Sequence, residues 1–207
     1  MNQCLFCHSK HLYVLHNGYK KCSHCKKKFS VKKWQTHKKI IDVFCQNKTA
    51  QQCHEQLHLN YVTVQKKYKQ LRQFIVHYLD EQYKQKKEYS HEYDEYIYLK
   101  GQNIYEAQNF LTFIYHNKIY NLMLPSLYKF KSYQKSDQEL SQFLFLNKIA
   151  KLQSKTSLIN DFWSFLESFL KKYKGVKSEN FIYYLKEAEF KFNYTKEEQL
   201  TILSDVL

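Results

Sequence analysis

Four cysteines near the start of the chain form two pairs, each with two residues between its members. The pairs are Cys4 with Cys7 and Cys22 with Cys25, and fourteen residues separate them. Two such pairs at this separation are typical of a zinc ribbon, in which four thiolates complete a tetrahedral Zn²⁺ site with no open position. A closed site of this kind is structural, and so short a segment needs the metal in order to fold. We therefore predict a structural zinc ion in residues 1–32; the alternative is a set of reduced free cysteines.

An acidic residue within a short aromatic run is the second candidate for chemistry. Residues 93–99 have the composition of a β-strand, and strand alternation places Asp94 on the same face as Tyr96 and Tyr98. A carboxylate among apolar neighbours is costly to bury unless its charge is compensated, and a metal ion would compensate it. The alternative interpretation is a partly exposed residue on an edge strand.

The charge balance indicates the class of partner. The formal net charge is +14, from 33 lysines and arginines against 19 acidic residues. Such an excess predicts a polyanion, with nucleic acid first and an anionic membrane surface second. No stretch approaches the roughly 18 uninterrupted apolar residues that a membrane span needs. The six cysteines, with no export signal at the start of the sequence, indicate a reducing cytoplasm.

Three helices are predicted in residues 33–88. The first covers about 34–46, the second follows Thr49 as its N-cap, and the third begins after a tight turn. A short helix, a turn and a longer helix predict a helix-turn-helix, whose second helix reads the major groove of DNA. A plain helical hairpin with a solvated charged face is the alternative. The candidate DNA contacts are Lys32, Lys33, Asn60, Tyr61, Thr63, Gln65, Lys66 and Lys67.

Three strands followed by helices are predicted in the rest of the chain, and the scarcity of glycine (3) and proline (1) favours helices. We therefore predict a mostly helical α+β protein with a third domain at 89–207. The predicted elements are a strand at 93–99, a hairpin of 108–116 with 118–124 that turns at Asn117 and Lys118, a helix capped by Ser136 or Asp137, an amphipathic helix at 156–173 and a final helix at 178–193.

Several short motifs follow one another in this third domain. They comprise an acidic strand (Glu92, Asp94, Glu95, Lys100, Gly101), a helix motif (Ile159, Phe162, Trp163, Ser164), the pair Gly175 and Val176, and a closing motif (Leu185, Glu187, Glu189, Phe190, Phe192, Asn193). Together with the ribbon and the helix-turn-helix, this ordered set resembles bacterial insertion-sequence transposases whose RNase H-like domain carries two Asp and a final Asn or Glu. The resemblance implies a two-metal Mg²⁺ site for DNA strand transfer, double-stranded DNA as partner, and by analogy a homodimer.

The catalytic positions depart from the family pattern. Asp94 matches the first acidic position, but the expected second Asp is absent. The residues between Gly101 and Ser157 contain a single Asp, Asp137, which precedes the predicted helix, and the only acidic residue between Gln138 and Leu158 is Glu139. Ser157 stands where the family has its last catalytic Asn, and Asn160 stands where a nearby Glu is usual. Serine is a poor Mg²⁺ ligand, and one aspartate cannot hold two metal ions. The resemblance therefore implies a shortened RNase H-like domain with an incomplete catalytic site.

Three functions follow from this interpretation. The first is a transposase-derived DNA-binding protein of the cytoplasm, associated with the nucleoid, that has lost strand transfer. The second is an active Mg²⁺-dependent transposase or nuclease that recruits other ligands to Asp94, such as Asn160, Asp161 or Glu167. The third is a zinc-stabilised protein-interaction module whose basic face meets an acidic partner.

Overall fold

The computed structural model describes residues 2–16, 18–85, 92–98, 107–125, 156–173, 175–204 and 206. Helices account for 54% of these residues, and two small antiparallel sheets accompany them, so that the chain is a mixed α+β protein. Contacts divide the chain into two compact units, Met1–Lys69 with Leu200–Leu207, and Gln70–Gln199. The domain boundaries predicted near residues 32 and 88 stay predictions.

The first unit begins with a three-stranded antiparallel sheet. Its strands are β1 (Leu12–Val14), β2 (Tyr19–Cys22) and β3 (Lys28–Ser30), in the order β1-β2-β3. The buried residues of this sheet region are Cys4, Cys22 and Phe29, with a few partly buried neighbours. So small an apolar cluster cannot stabilise a fold by itself, which is the condition under which small domains use a metal.

Helices α1 (Val31–Cys45), α2 (Ala50–Leu57) and α3 (Tyr61–Gln85) follow the sheet, and they confirm the three helices predicted from the sequence. Thr49 caps α2 as predicted, since its hydroxyl accepts from the Gln52 N–H while the Gln52 side chain accepts from the Thr49 N–H. His58 ends α2 in a left-handed conformation, with φ of 50°. The turn between α2 and α3 is thus fixed by local hydrogen bonds and backbone geometry.

A second antiparallel sheet lies in the second unit, and its strands are β4 (Tyr93–Tyr98), β5 (Gln108–Tyr115) and β6 (Lys118–Met123). Its hairpin turns at His116 and Asn117, one residue earlier than predicted. Both residues have positive φ, 44° and 59°, as a tight two-residue hairpin requires. Lys118 instead pairs with Tyr115 and opens the next strand.

Two helices of this unit, α4 (Ser157–Leu170) and α5 (Phe181–Asn193), pack on the sheet. A short 3₁₀ turn (Ser178–Asn180) precedes α5, and helix α6 (Lys196–Leu203) follows it in the chain. The core joins Phe162 and Leu166 of α4 to Phe110 and Ile119 of the sheet. The helix predicted after Ser136 or Asp137 lies outside the described residues, as do Lys100 and Gly101.

Helix α5 carries charged residues in the core, which its sequence pattern did not predict. Every residue from 185 to 191 is buried, including two lysines and two glutamates. The Glu187 carboxylate accepts from Arg72 Nε and from Lys191 Nζ, each at 2.6 Å. Glu189 is paired with Lys186 Nζ at 3.1 Å. Each buried carboxylate therefore has an oppositely charged partner, without which its burial would be unfavourable.

The outer edge of strand β6 is covered by side chains of α5. Asn193 bonds both backbone groups of Ile119, accepting from its N–H at 2.8 Å and donating to its carbonyl at 2.6 Å. The Asn121 N–H donates to Glu189 at 2.9 Å. An uncovered edge would expose unpaired backbone groups, so these two residues of the closing motif have a structural role at the edge of the sheet.

Candidate metal centre and nucleic-acid interface

The four cysteines predicted to bind zinc lie together. Their sulfur atoms are all within 4.8 Å of one another, with Cys4 to Cys25 at 3.6 Å and Cys7 to Cys22 at 3.5 Å. A tetrahedral zinc ion about 2.3 Å from each sulfur places the sulfurs roughly 3.8 Å apart. The four side chains could therefore hold one metal ion, and zinc fits a set of four thiolates.

The two cysteine pairs share one backbone geometry. The residue after each pair, His8 or Lys26, is left-handed, with φ of 56° and 60°. Between the cysteines of each pair, the N–H of Phe6 or His24 donates to the sulfur of the first cysteine, at 3.4 Å and 3.3 Å. These tight turns aim both sulfurs of a pair at one point, and the N–H donors favour the thiolate that a metal requires.

The hydrogen bonds around Cys22 also change its acidity. Burial raises the pKa of this thiol. The opposite effect is larger, because hydrogen bonds from the backbone N–H groups of Cys25 and His24 and from the thiols of Cys7 and Cys25 stabilise the thiolate, and the net result is a pKa lowered to about 6. The thiolate is the form that binds metal. The hydrogen bonds to Cys22 therefore favour the form of this side chain that a metal ion would need.

Positive charge is concentrated in the first third of the chain. Residues 1–69 contain 14 lysines and two acidic residues, a net charge of +12, whereas the remaining residues carry 19 basic and 17 acidic side chains, a net charge of +2. The first acidic residue of the chain is Asp42. The sheet β1–β3 and the helices after it therefore form the part of the protein with the greatest attraction for a polyanion.

The start of α3 presents most of the candidate DNA contacts to solvent. Tyr61, Thr63, Gln65 and Lys66 are exposed, and the Gln65 side-chain amide donates to the Tyr61 hydroxyl at 2.9 Å. Lys32 and Lys33 are exposed in the first turn of α1.

Asn60 is exposed but also has a structural role. Its side-chain oxygen accepts from the N–H groups of Val62 and Thr63, at 2.9 Å and 3.3 Å. These bonds satisfy two of the N–H groups that the first turn of α3 leaves without helical partners. Asn60 thus fixes the direction in which α3 begins.

Lys67 is placed differently from the other candidates. Lys67 is only 3% exposed, and its ammonium group donates to the carbonyl of Val206 at 3.0 Å. Burial lowers the pKa of this lysine. The structure therefore contradicts the placement of Lys67 on a DNA-contacting surface. The reason is visible in the spacing, because Lys67 lies three residues after buried Val64 and four before buried Leu71, on the apolar face of the helix.

Asp94 lies in β4 opposite Thr112 and is partly exposed. The next residue on its face, Tyr96, is buried and donates its hydroxyl to Glu167 at 2.5 Å. Ser157 and Asp161 are exposed on α4. Among the described residues, the four cysteines are the only group of three or more His, Cys, Asp or Glu side chains that could share a metal ion.

The strand residue opposite Asp94 belongs to a buried chain of hydrogen bonds. Trp163 Nε1 donates to the Thr112 hydroxyl at 3.0 Å, which donates to Asn121 at 2.8 Å. The Asn121 amide donates in turn to Glu189 at 2.9 Å. The sequence analysis placed Trp163 in a helix motif of an amphipathic helix and gave it no hydrogen-bond partner. The available signal was its indole N–H, which needs a partner when buried.

No protein-family model, curated protein or solved structure matched this chain. None of the helices in the described ranges combines the length and the apolar composition that a membrane crossing requires.

Proposed function

We propose that this chain binds double-stranded DNA, and that it derives from an insertion-sequence transposase and has lost strand transfer. The observation that carries the proposal is the exposed start of α3 within a segment of net charge +12. A polyanion is attracted to such a segment, and a helix start with exposed polar side chains suits the major groove.

Each exposed side chain then has a distinct task. Thr63 and Gln65 carry groups that hydrogen-bond to base edges, and Gln can pair with adenine through two hydrogen bonds. Lys66, together with Lys32 and Lys33 at the start of α1, supplies positive charge for phosphates. The capped turn before α3 holds the helix in one direction, so that these contacts are pre-arranged.

The chemistry of the residues at the family's catalytic positions supports the loss of strand transfer. Ser157, which replaces the family's final amide ligand, is exposed at the start of α4. Glu167, which could join Asp94 in a rearranged site, accepts a hydrogen bond from the Tyr96 hydroxyl. The protein would then act by occupying DNA, as a regulator or an organiser of the nucleoid.

The duplex-binding surface can be tested by the salt dependence of affinity. We expect Lys66→Ala to weaken binding to all duplex sequences alike and to reduce the slope of log K against log salt by about 1, because one phosphate contact is lost. The measurement is fluorescence anisotropy of a labelled duplex over a range of salt concentrations.

Lys171→Ala is the matched control, because Lys171 is exposed at the end of α4 in the other unit. It should leave both the affinity and the slope unchanged. If Lys66→Ala and Lys171→Ala behave identically, the assignment of the α3 surface is wrong.

Catalysis requires a separate assay. We expect the zinc-loaded protein to produce no cleavage or joining of plasmid DNA with Mg²⁺ or Mn²⁺, because a single aspartate cannot hold two metal ions. Product formation that disappears in Asp94→Ala would contradict the loss of strand transfer. Activity that survives Asp94→Ala would indicate a contaminating nuclease.

A further inference from the structure

The outward face of the ribbon sheet carries a row of aromatic and basic residues. Tyr13 of β1 lies opposite Lys21 of β2, and Lys21 lies opposite Lys28 of β3. Residues directly opposite one another in antiparallel strands project from the same face of the sheet. The three side chains therefore line up across all three strands.

This row is not part of the apolar core. Cys22 and Phe29 project from the other face and are buried, whereas Tyr13 is 62% exposed. Tyr19, two residues before Lys21, shares the outward face. Lys33 of α1 places its ammonium 5.8 Å from the centre of the Tyr19 ring. We call this surface the ribbon face, and it consists of Tyr13, Tyr19, Lys21 and Lys28, while Lys33 borders it and belongs to the duplex-binding surface.

The charge around the ribbon face restricts its ligand. The first 41 residues contain ten lysines and no acidic residue. An exposed aromatic ring with lysines on its flank suits an anion that also offers a flat ring. Single-stranded nucleic acid has both features, since its base faces are accessible and its phosphates are regularly spaced. In a duplex those base faces are covered by their neighbours.

We propose that the ribbon face binds single-stranded nucleic acid, with a base stacked on Tyr13 and the adjacent phosphates against Lys21 and Lys28. This site is additional to the duplex-binding surface of α3, and the two are tested by different variants.

The test compares the binding of single strands and duplexes by the full zinc-loaded chain. The probes are a labelled oligodeoxythymidine, the matching oligouridine and a duplex of mixed sequence. We expect Tyr13→Ala to weaken single-strand binding about 5- to 100-fold, the loss of one base-stacking contact, and to leave duplex binding unchanged. Tyr13→Phe should keep most of the affinity, because the ring and not the hydroxyl makes the contact.

Val14→Ala is the matched control, since Val14 is the next residue of β1, is 76% exposed and projects from the other face. It should bind single strands like the unaltered protein. Lys66→Ala should weaken duplex binding only, so that failure of the α3 surface can be distinguished from failure of the ribbon face. Tighter binding of the oligodeoxythymidine would identify single-stranded DNA as the ligand, and tighter binding of the oligouridine would identify single-stranded RNA.

Two results would overturn the proposal. One is equal single-strand affinity for Tyr13→Ala, Val14→Ala and the unaltered chain, at the same zinc content. The other is equal loss in Tyr13→Phe and Tyr13→Ala, which would assign the effect to the hydroxyl. If Tyr13→Ala fails to retain zinc, the double variant Lys21→Ala, Lys28→Ala replaces it in the test. For this double variant, an unchanged slope of log K against log salt in single-strand binding would refute the phosphate contacts.

Discussion

Cys22→Ser is expected to abolish zinc binding and to unfold the ribbon. Cys22 is fully buried at the centre of a sheet region whose other buried residues are Cys4 and Phe29. Structural zinc in domains of this size contributes about 10–16 kcal/mol of apparent binding free energy, which is folding free energy where no fold exists without metal. The zinc content per chain and the NMR dispersion of the β1–β3 amides are the measurements.

Cys45→Ala provides the matched control. Cys45 is also a buried thiol, but it lies in α1 and is not one of the four clustered cysteines. This variant should keep one zinc ion per chain and the ribbon amide signals. A full zinc content in Cys22→Ser, or an equal loss in Cys45→Ala, would contradict the assignment of the metal centre. A chelator should reproduce the effect of Cys22→Ser in the unaltered protein.

The sequence was most informative where local chemistry dictates local structure. Paired cysteines need only short turns to approach one another, so that their spacing predicts the cluster. The capping box of Thr49 and Gln52 and the apolar period of α3 are likewise local, and both helices occur as predicted. The same apolar period places Lys67 inside, because a residue between Val64 and Leu71 on that face cannot also face solvent.

Long-range pairing accounts for what the sequence did not predict. In the sequence, the charged residues of α5 resemble a solvent-exposed helix face. Their burial depends on a partner far away in the chain, because Arg72, more than 100 residues before Glu187, donates to its carboxylate. The spacing of Glu187 and Lys191, four residues apart, was a partial signal, since opposite charges at that distance meet on one face of a helix. The role of Glu189 at the edge of β6 depends on the packing of a helix on a sheet, which no local pattern contains.

The Glu187 carboxylate gives the second large prediction. It is fully buried between Arg72 and Lys191, with both contacts at 2.6 Å. Glu187→Gln keeps the shape of the side chain but leaves two buried cations without their anion. We expect the free energy of unfolding to fall by about 3–5 kcal/mol, the usual cost of removing one partner from a buried ion pair. Urea unfolding at neutral pH measures it.

Glu179→Gln is the control, because Glu179 faces Lys177 at 4.0 Å on the surface, where both side chains are more than two-thirds exposed. Its effect should be at most about 1 kcal/mol. Equal losses in the two variants would show that the Glu187 network does not hold the second unit together. An apolar replacement of all three network residues should be far less harmful than Glu187→Gln, since it leaves no unpaired charge.

The pH dependence of that loss identifies its electrostatic origin. Burial raises the pKa of Glu187, but the positive charges of Lys191 and Arg72 lower it by more than burial raises it. The folded-state pKa therefore lies below the ordinary value of about 4.3. Stability from such a group is complete above the unfolded-state pKa and is lost as the pH falls through the folded-state pKa. The difference in unfolding free energy between the unaltered protein and Glu187→Gln should therefore be constant near neutral pH and shrink below about pH 4. A difference that persists unchanged into acid would assign the loss to packing rather than to the two uncompensated cations.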